Sequence, residues 1–228
     1  MVTMEKVNSE QKRGNPWLMG GLVGVVLVVL VVIALPVVMK TKGPHHGSSE
    51  LSNAKQIYYL LIEFDQDYGS FPSDETAEVH KDDPDGDVSY NDHSFKGEFS
   101  NDYLGQLIAG GYTKSEELFY ARGGATVNKR PDYDVSSWSK VLEAGECGFS
   151  YVKNQSATTA GGPILLANMN RNGLSFDPEC YNGKGIVLRA DGLARFVKVD
   201  PKTGIATYDD GKPIFPNAFD RSHLVFPK

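Results

Sequence analysis

The sequence predicts an α+β protein: an N-terminal transmembrane helix, then an amphipathic helix packed on an antiparallel sheet. Three observations carry this expectation. Residues 17–39, WLMGGLVGVVLVVLVVIALPVVM, hold no charged side chain and no Asn, Gln, Ser or Thr. Leu51, Ala54, Ile57, Tyr58, Leu61, Phe64 and Tyr68 recur at spacings of three and four, which makes one apolar helical stripe. Residues 186–190 and 193–199 are β-rich runs joined by Asp191-Gly192, the dipeptide of a two-residue hairpin turn. The chain then divides into a cytoplasmic tail 1–16, a membrane helix 17–39, a linker 40–48 and a domain 49–228.

The apolar run is long enough to span. At a rise of ~1.5 Å per residue a helix of this length covers ~34 Å, against a hydrocarbon core of ~30 Å. A signal peptide would have a core of ~7–15 residues and a small-residue cleavage site, whereas this run leaves through Val38, Met39 and Lys40. A helix buried in a soluble core would show a polar face, and this one shows none. Trp17 stands where an interfacial aromatic belongs, and Pro36 removes a backbone donor one turn before the exit. Lys12 and Arg13 before the run are balanced by Lys40 and Lys42 after it, so orientation rests on the short tail, which places the N-terminus in the cytoplasm. The expected location is a single-pass protein of the inner (cytoplasmic) membrane with its domain outside the cytoplasm.

Charge is unevenly spread. The whole chain carries −6. Lys6, Lys12 and Arg13 against Glu5 and Glu10 make the tail +1, so everything after it carries −7. Residues 74–92 alone hold eight acidic side chains against Lys81, again −7. Nucleic acid is therefore not an expected partner, since its binding needs clustered Lys and Arg. In an oxidising compartment Cys147 and Cys180 could pair as the chain's single possible bridge; two buried free thiols are the other reading, and the sequence leaves both open.

Taken in order, His45 and His46 belong to a Gly- and Pro-containing linker and read as solvated. The amphipathic helix follows over 49–68, with Ser48 or Ser49 able to cap it and Gly69 to end it. Residues 69–73 turn the chain into the acidic stretch, where Asp83, Asp85 and Asp87 alternate like the oxygen-rich front half of a calcium loop. Val88 and Ser94 stand where that pattern wants Gly and Glu, so a solvated charge run is the competing reading. From Ser100 a helix presents Tyr103, Leu104, Leu107 and Ile108, capped by Ser100 or Asn101 and stopped by Gly110-Gly111. Thr113-Lys114-Ser115-Glu116 has capping-box spacing for a short turn. Residues 122–144 read as irregular, with Trp138 as a packing anchor. Strands are expected at 149–152 and 164–167, then the Asp-Gly hairpin, then a further hairpin through Asp210-Gly211.

Leu51-Ser52-Asn53-Ala54-Lys55-Gln56-Ile57, continuing to Tyr68-Gly69-Ser70-Phe71-Pro72, resembles the helix and turn of type IV pilin-like proteins and the pseudopilins of type II secretion. The stretch 187–196, VLRADGLARF, looks like the Asp-Gly hairpin that closes the large pilin-like family, in which a His precedes the dipeptide; Tyr181 stands at that position here. Leu35-Pro36 is similar to a Leu-Pro late in those membrane helices. Together these cover about a third of the chain. The resemblance implies a non-enzymatic component or scaffold of such a machine, with the lipid bilayer, other pilin-like subunits and secretion-system membrane proteins as partners. Asn15 and Met19 stand where a prepilin processed after Gly14 would carry Phe and Glu, which fits a helix that stays in the membrane. Gly20, Gly21 and Gly24 offer a small-residue face for another membrane helix. The rival expectations are a membrane-tethered module binding calcium or carbohydrate and, with no nucleophile elbow, zinc-protease or phosphate-loop motif to support it, a hydrolase.

Overall fold

In the computed structural model, residues 47–82, 96–122, 127–170 and 173–228 are described. Among them no helix is long and apolar enough to cross a membrane; the apolar run 17–39 lies outside them. The first described element, α1 (Ser48–Tyr68), buries the expected stripe, with Ala54, Ile57, Leu61 and Phe64 inaccessible to solvent. Neither Ser48 nor Ser49 caps it by a side chain. Gly47 takes that position with φ 70°, and its carbonyl accepts from Leu51 N at 2.9 Å. At the other end the Gly69 N–H donates to Asp65 O at 2.8 Å and closes the last turn.

The acidic stretch does not begin as a loop. Its first residues form α2 (Asp74–Asp82). Ser73 and Thr76 cap it reciprocally: Thr76 N–H donates to Ser73 Oγ at 3.2 Å and Ser73 N–H to Thr76 Oγ1 at 2.8 Å. Asp74 and Glu75 in the first turn favour the helix dipole. Next comes α3 (Ser100–Ala109), a buried helix stopped by Gly110, whose N–H reaches Gln106 O at 2.8 Å. The cap is Phe99 rather than Ser100 or Asn101, because the Asp102 carboxylate turns back to accept from the Glu98 and Phe99 N–H groups, each at 3.1 Å.

Six strands follow: β1 (Phe149–Val152), β2 (Pro163–Ala167), β3 (Lys184–Arg189), β4 (Ala194–Val199), β5 (Ala206–Thr207) and β6 (Leu224–Val225). They form one antiparallel sheet of order β5-β4-β3-β2-β1-β6, a meander whose last strand returns beside the first. Alternation sorts the side chains onto two faces. Phe149, Tyr151, Leu165, Ile186, Leu188 and Ala194 join α1 and α3 in the larger core. Val152, Leu166, Val187, Val197 and Val199 face the other way, under Met169, Phe176, Ile214 and Phe215 from the long loops. Because both faces are covered, β1 and β2 are buried along their whole length, and β2 reads as an unbroken apolar run.

Candidate functional site

The sequence motifs converge where α1 lies along β3 and β4. The turn between those strands has three residues rather than the two expected: Gly192 N–H donates to Arg189 O at 2.9 Å and Arg189 N–H to Leu193 O at 3.1 Å. Gly192 takes φ 80°, the bulge position that follows a type I turn. Asp191 holds the turn shape by accepting from Leu193 N–H at 3.2 Å and pairing with Arg189 at 2.9 Å. The Tyr58 ring of α1 rests on this turn, 2.6 Å from where a Cβ on Gly192 would sit, and its hydroxyl donates to Ala190 O at 3.4 Å.

At the start of α1, Gly47 is pressed against Tyr181 and Phe196. A Cβ there would meet Phe196 Cε1 at 2.9 Å and Tyr181 Cδ1 at 3.0 Å. Tyr181 is buried, adopts φ 44° and donates its hydroxyl to Arg122 O at 2.6 Å. Burial raises its phenol well above the ordinary range, so it acts as a neutral donor. The Tyr-Gly-x-Phe-Pro turn is pinned as well, with Phe71 inaccessible and the Tyr151 hydroxyl donating to Pro72 O at 2.8 Å. From the helix motif, Asn53 Nδ2 donates to Glu117 O at 3.0 Å, while Lys55 and Gln56 face solvent.

A second cluster was not singled out by the sequence. Glu116, Asp132 and Glu146 bring carboxylate oxygens within 4.8 Å of one another. The Lys129 ammonium lies among the acids, 2.9 Å from Asp132 and 2.9 Å from Glu146, and also bonded to Glu143. It occupies the place a cation would take. These hydrogen bonds, led by Glu143, raise the lysine's pKa, and Lys129 in turn holds the Glu143 carboxyl below its ordinary value. Glu116 was expected to close a local capping box. Instead it is buried and accepts from Tyr133 N–H at 2.9 Å and Leu142 N–H at 3.1 Å, with burial raising its pKa. No local pattern signals this, because the acids come from residues 116, 132, 143 and 146 and meet only when the 122–144 stretch folds back.

The two cysteines are free. Cys147 is fully buried beside Ser100 and donates to Phe149 O at 3.6 Å; Cys180 donates to Asp177 Oδ2 at 3.4 Å. The bridge the sequence allowed is not formed in this structure, since each thiol has partners of its own. Burial pushes Cys147 up to about 11; burial and the Asp177 carboxylate push Cys180 up to about 12. Neither is a thiolate at neutral pH. Asp83, Asp85 and Asp87, the calcium-type run, lie outside the described residues. Compared with known protein families, curated proteins and solved structures, the chain finds no match.

Proposed function

We propose that the chain is a single-pass, membrane-anchored pilin-like protein that serves as a structural or scaffolding component of a type II secretion or type IV pilus-like system. One observation carries this reading: α1 packs on an antiparallel sheet and is held at its start, by Tyr181 and Phe196 at Gly47, and at its middle, by the Asp191-Gly192 turn at Tyr58. A helix fixed in that way couples its N-terminal half to the sheet. The chemistry of the acidic cluster supports the same view, because its carboxylates hold backbone N–H groups and a lysine.

The test is a photo-crosslinking residue at Gly24 of the full chain in its native membrane, with adducts identified by mass spectrometry. Adducts with pilin-like subunits or secretion-system membrane proteins are the expected result. Intact, inserted chain that yields no such adduct overturns the scaffold role in favour of a standalone tethered module.

A further inference from the structure

We propose that the Lys184–Lys198 end of the sheet docks on anionic lipid headgroups of the bilayer that holds residues 17–39, an inference that rests on the membrane-anchor reading above. Lys184 and Lys198 are direct cross-strand partners on β3 and β4, and both are exposed. Like charges placed opposite each other disfavour an antiparallel pair, and neither lysine forms an ion pair with a described residue. Of the carboxylates nearby, Asp200 feels the charge of Lys198 without forming an ion pair with it, and both Asp200 and Asp209 have other partners. Asp200 accepts from the Lys202 and Thr203 N–H groups at 2.9 and 2.8 Å, and Asp209 pairs with Arg195 at 3.3 Å. Between the lysines and α1 stands Phe196, with Lys184 Nζ 5.4 Å from its ring centroid. Lys184, Phe196, Lys198, Pro201 and Asp209 line an open groove of about 540 Å³. A local rule is broken here, two like charges face to face with no ion pair among the described residues, and an external anion would mend it.

Position selects the occupant. Phe196 is also the ring against Gly47, so the lysine pair sits where the chain enters the domain. Residues 40–46 are all that separate the apolar run from Gly47, and even fully extended they reach at most about 28 Å. This end of the domain therefore stays near the bilayer. α1 then carries the chain about 30 Å away, to the turn that opens the acidic segment 74–92. That separation is several times the Debye length of about 8 Å, so an anionic surface attracts the lysine end without acting strongly on the acids. Residues 74–92, which alone carry −7, disfavour the opposite orientation on such a surface.

The test uses the full chain reconstituted in neutral phosphatidylcholine vesicles and in vesicles with about 30% phosphatidylglycerol, treated with a membrane-impermeant amine-acylating reagent and read by mass spectrometry. Acylation of Lys184 and Lys198 is expected to fall about threefold in the anionic vesicles and to recover in high salt. Lys212, exposed and paired with Asp210, serves as the internal standard and stays unchanged. Lys198→Glu should remove the protection of Lys184. Equal acylation in the two lipids, in a chain that resists alkaline carbonate, overturns the docking surface and leaves the anchor standing. A chain that carbonate strips from the vesicles overturns the anchor and, since two lysines alone attract lipid too weakly, the docking with it.

Discussion

Gly192 answers to two constraints at once, its own backbone angle and the tyrosine lying on it. Its φ of 80° is left-handed, which costs a residue with a Cβ about 1–2 kcal/mol. The added carbon would also meet Tyr58 Cε1 at 2.6 Å. Gly192→Ala is therefore expected to destabilise the domain by about 2 kcal/mol or more, as read by denaturant unfolding of the full chain in detergent. Combining it with Tyr58→Ala should relieve the crowding and leave the backbone term, so the two losses add up to more than the double variant shows. Simple additivity would mean that the ring and the turn do not touch. Asp191-Gly192 was legible as a hairpin because φ > 0 leaves few residue types to choose from. Its third loop residue was not, since Ala190 carries no turn signal. The Lys129 cluster was not legible: only Asp132 is local to the lysine, while Glu143 and Glu146 reach it from more than a dozen residues away.

Among the elements, α1 and the strands were legible because periodicity records which face is buried. α1 follows the 3.6 period with Ala54, Ile57, Leu61 and Phe64 inward and Tyr59 outward, 71% exposed. Leu61→Ala should cost about 2–5 kcal/mol through lost burial and the cavity left behind. Tyr59→Ala should fall within about 0.5 kcal/mol of the parent by the same unfolding measurement. A loss at Tyr59 comparable to that at Leu61 would place the helix in a different rotation on the sheet. Where composition outweighed local signals, the reading failed. The acidity of 74–92 hid the Ser73-x-x-Thr76 cap that starts α2, and Gln106 then ties α2 to α3 by donating to Ser73 O at 3.0 Å while Thr76 Oγ1 donates to its amide oxygen at 2.7 Å. β6 escaped notice because two residues have no measurable period; its place beside β1 is set by pairing with Tyr151 and Val152.

For the molecule as a whole, the groups taken out of water are mainly phenols and thiols, and this fixes how the fold responds to pH. Tyr58, Tyr103, Tyr112, Tyr151, Tyr181 and Tyr208 are all raised above the ordinary 10.0, with burial the leading cause in each, and both thiols are raised above 9.0. In the folded chain these groups keep protons that the unfolded chain gives up. Above about pH 9 the unfolded state therefore binds fewer protons, and stability falls as pH rises through 9 for the thiols and 10 for the phenols. On the acid side the contributions oppose each other. Glu116 and Asp102, raised by burial, favour the fold as pH falls through their folded values, while Asp132, Glu143, Asp200, Asp210 and Asp220, lowered by local hydrogen bonds, withdraw support below about 4. The alkaline limb should consequently be the steeper one. In a titration of the full chain in detergent, the phenolate absorbance of the buried Tyr103, Tyr151 and Tyr181 is expected to appear as a cooperative step above pH 10, together with the loss of near-ultraviolet circular dichroism, because burial keeps these hydroxyls protonated in the folded chain. A phenolate curve that reaches its full amplitude without such a step, with the dichroism intact, would show that these three rings are in water, and that the core joining α1, α3 and the sheet is not packed as described.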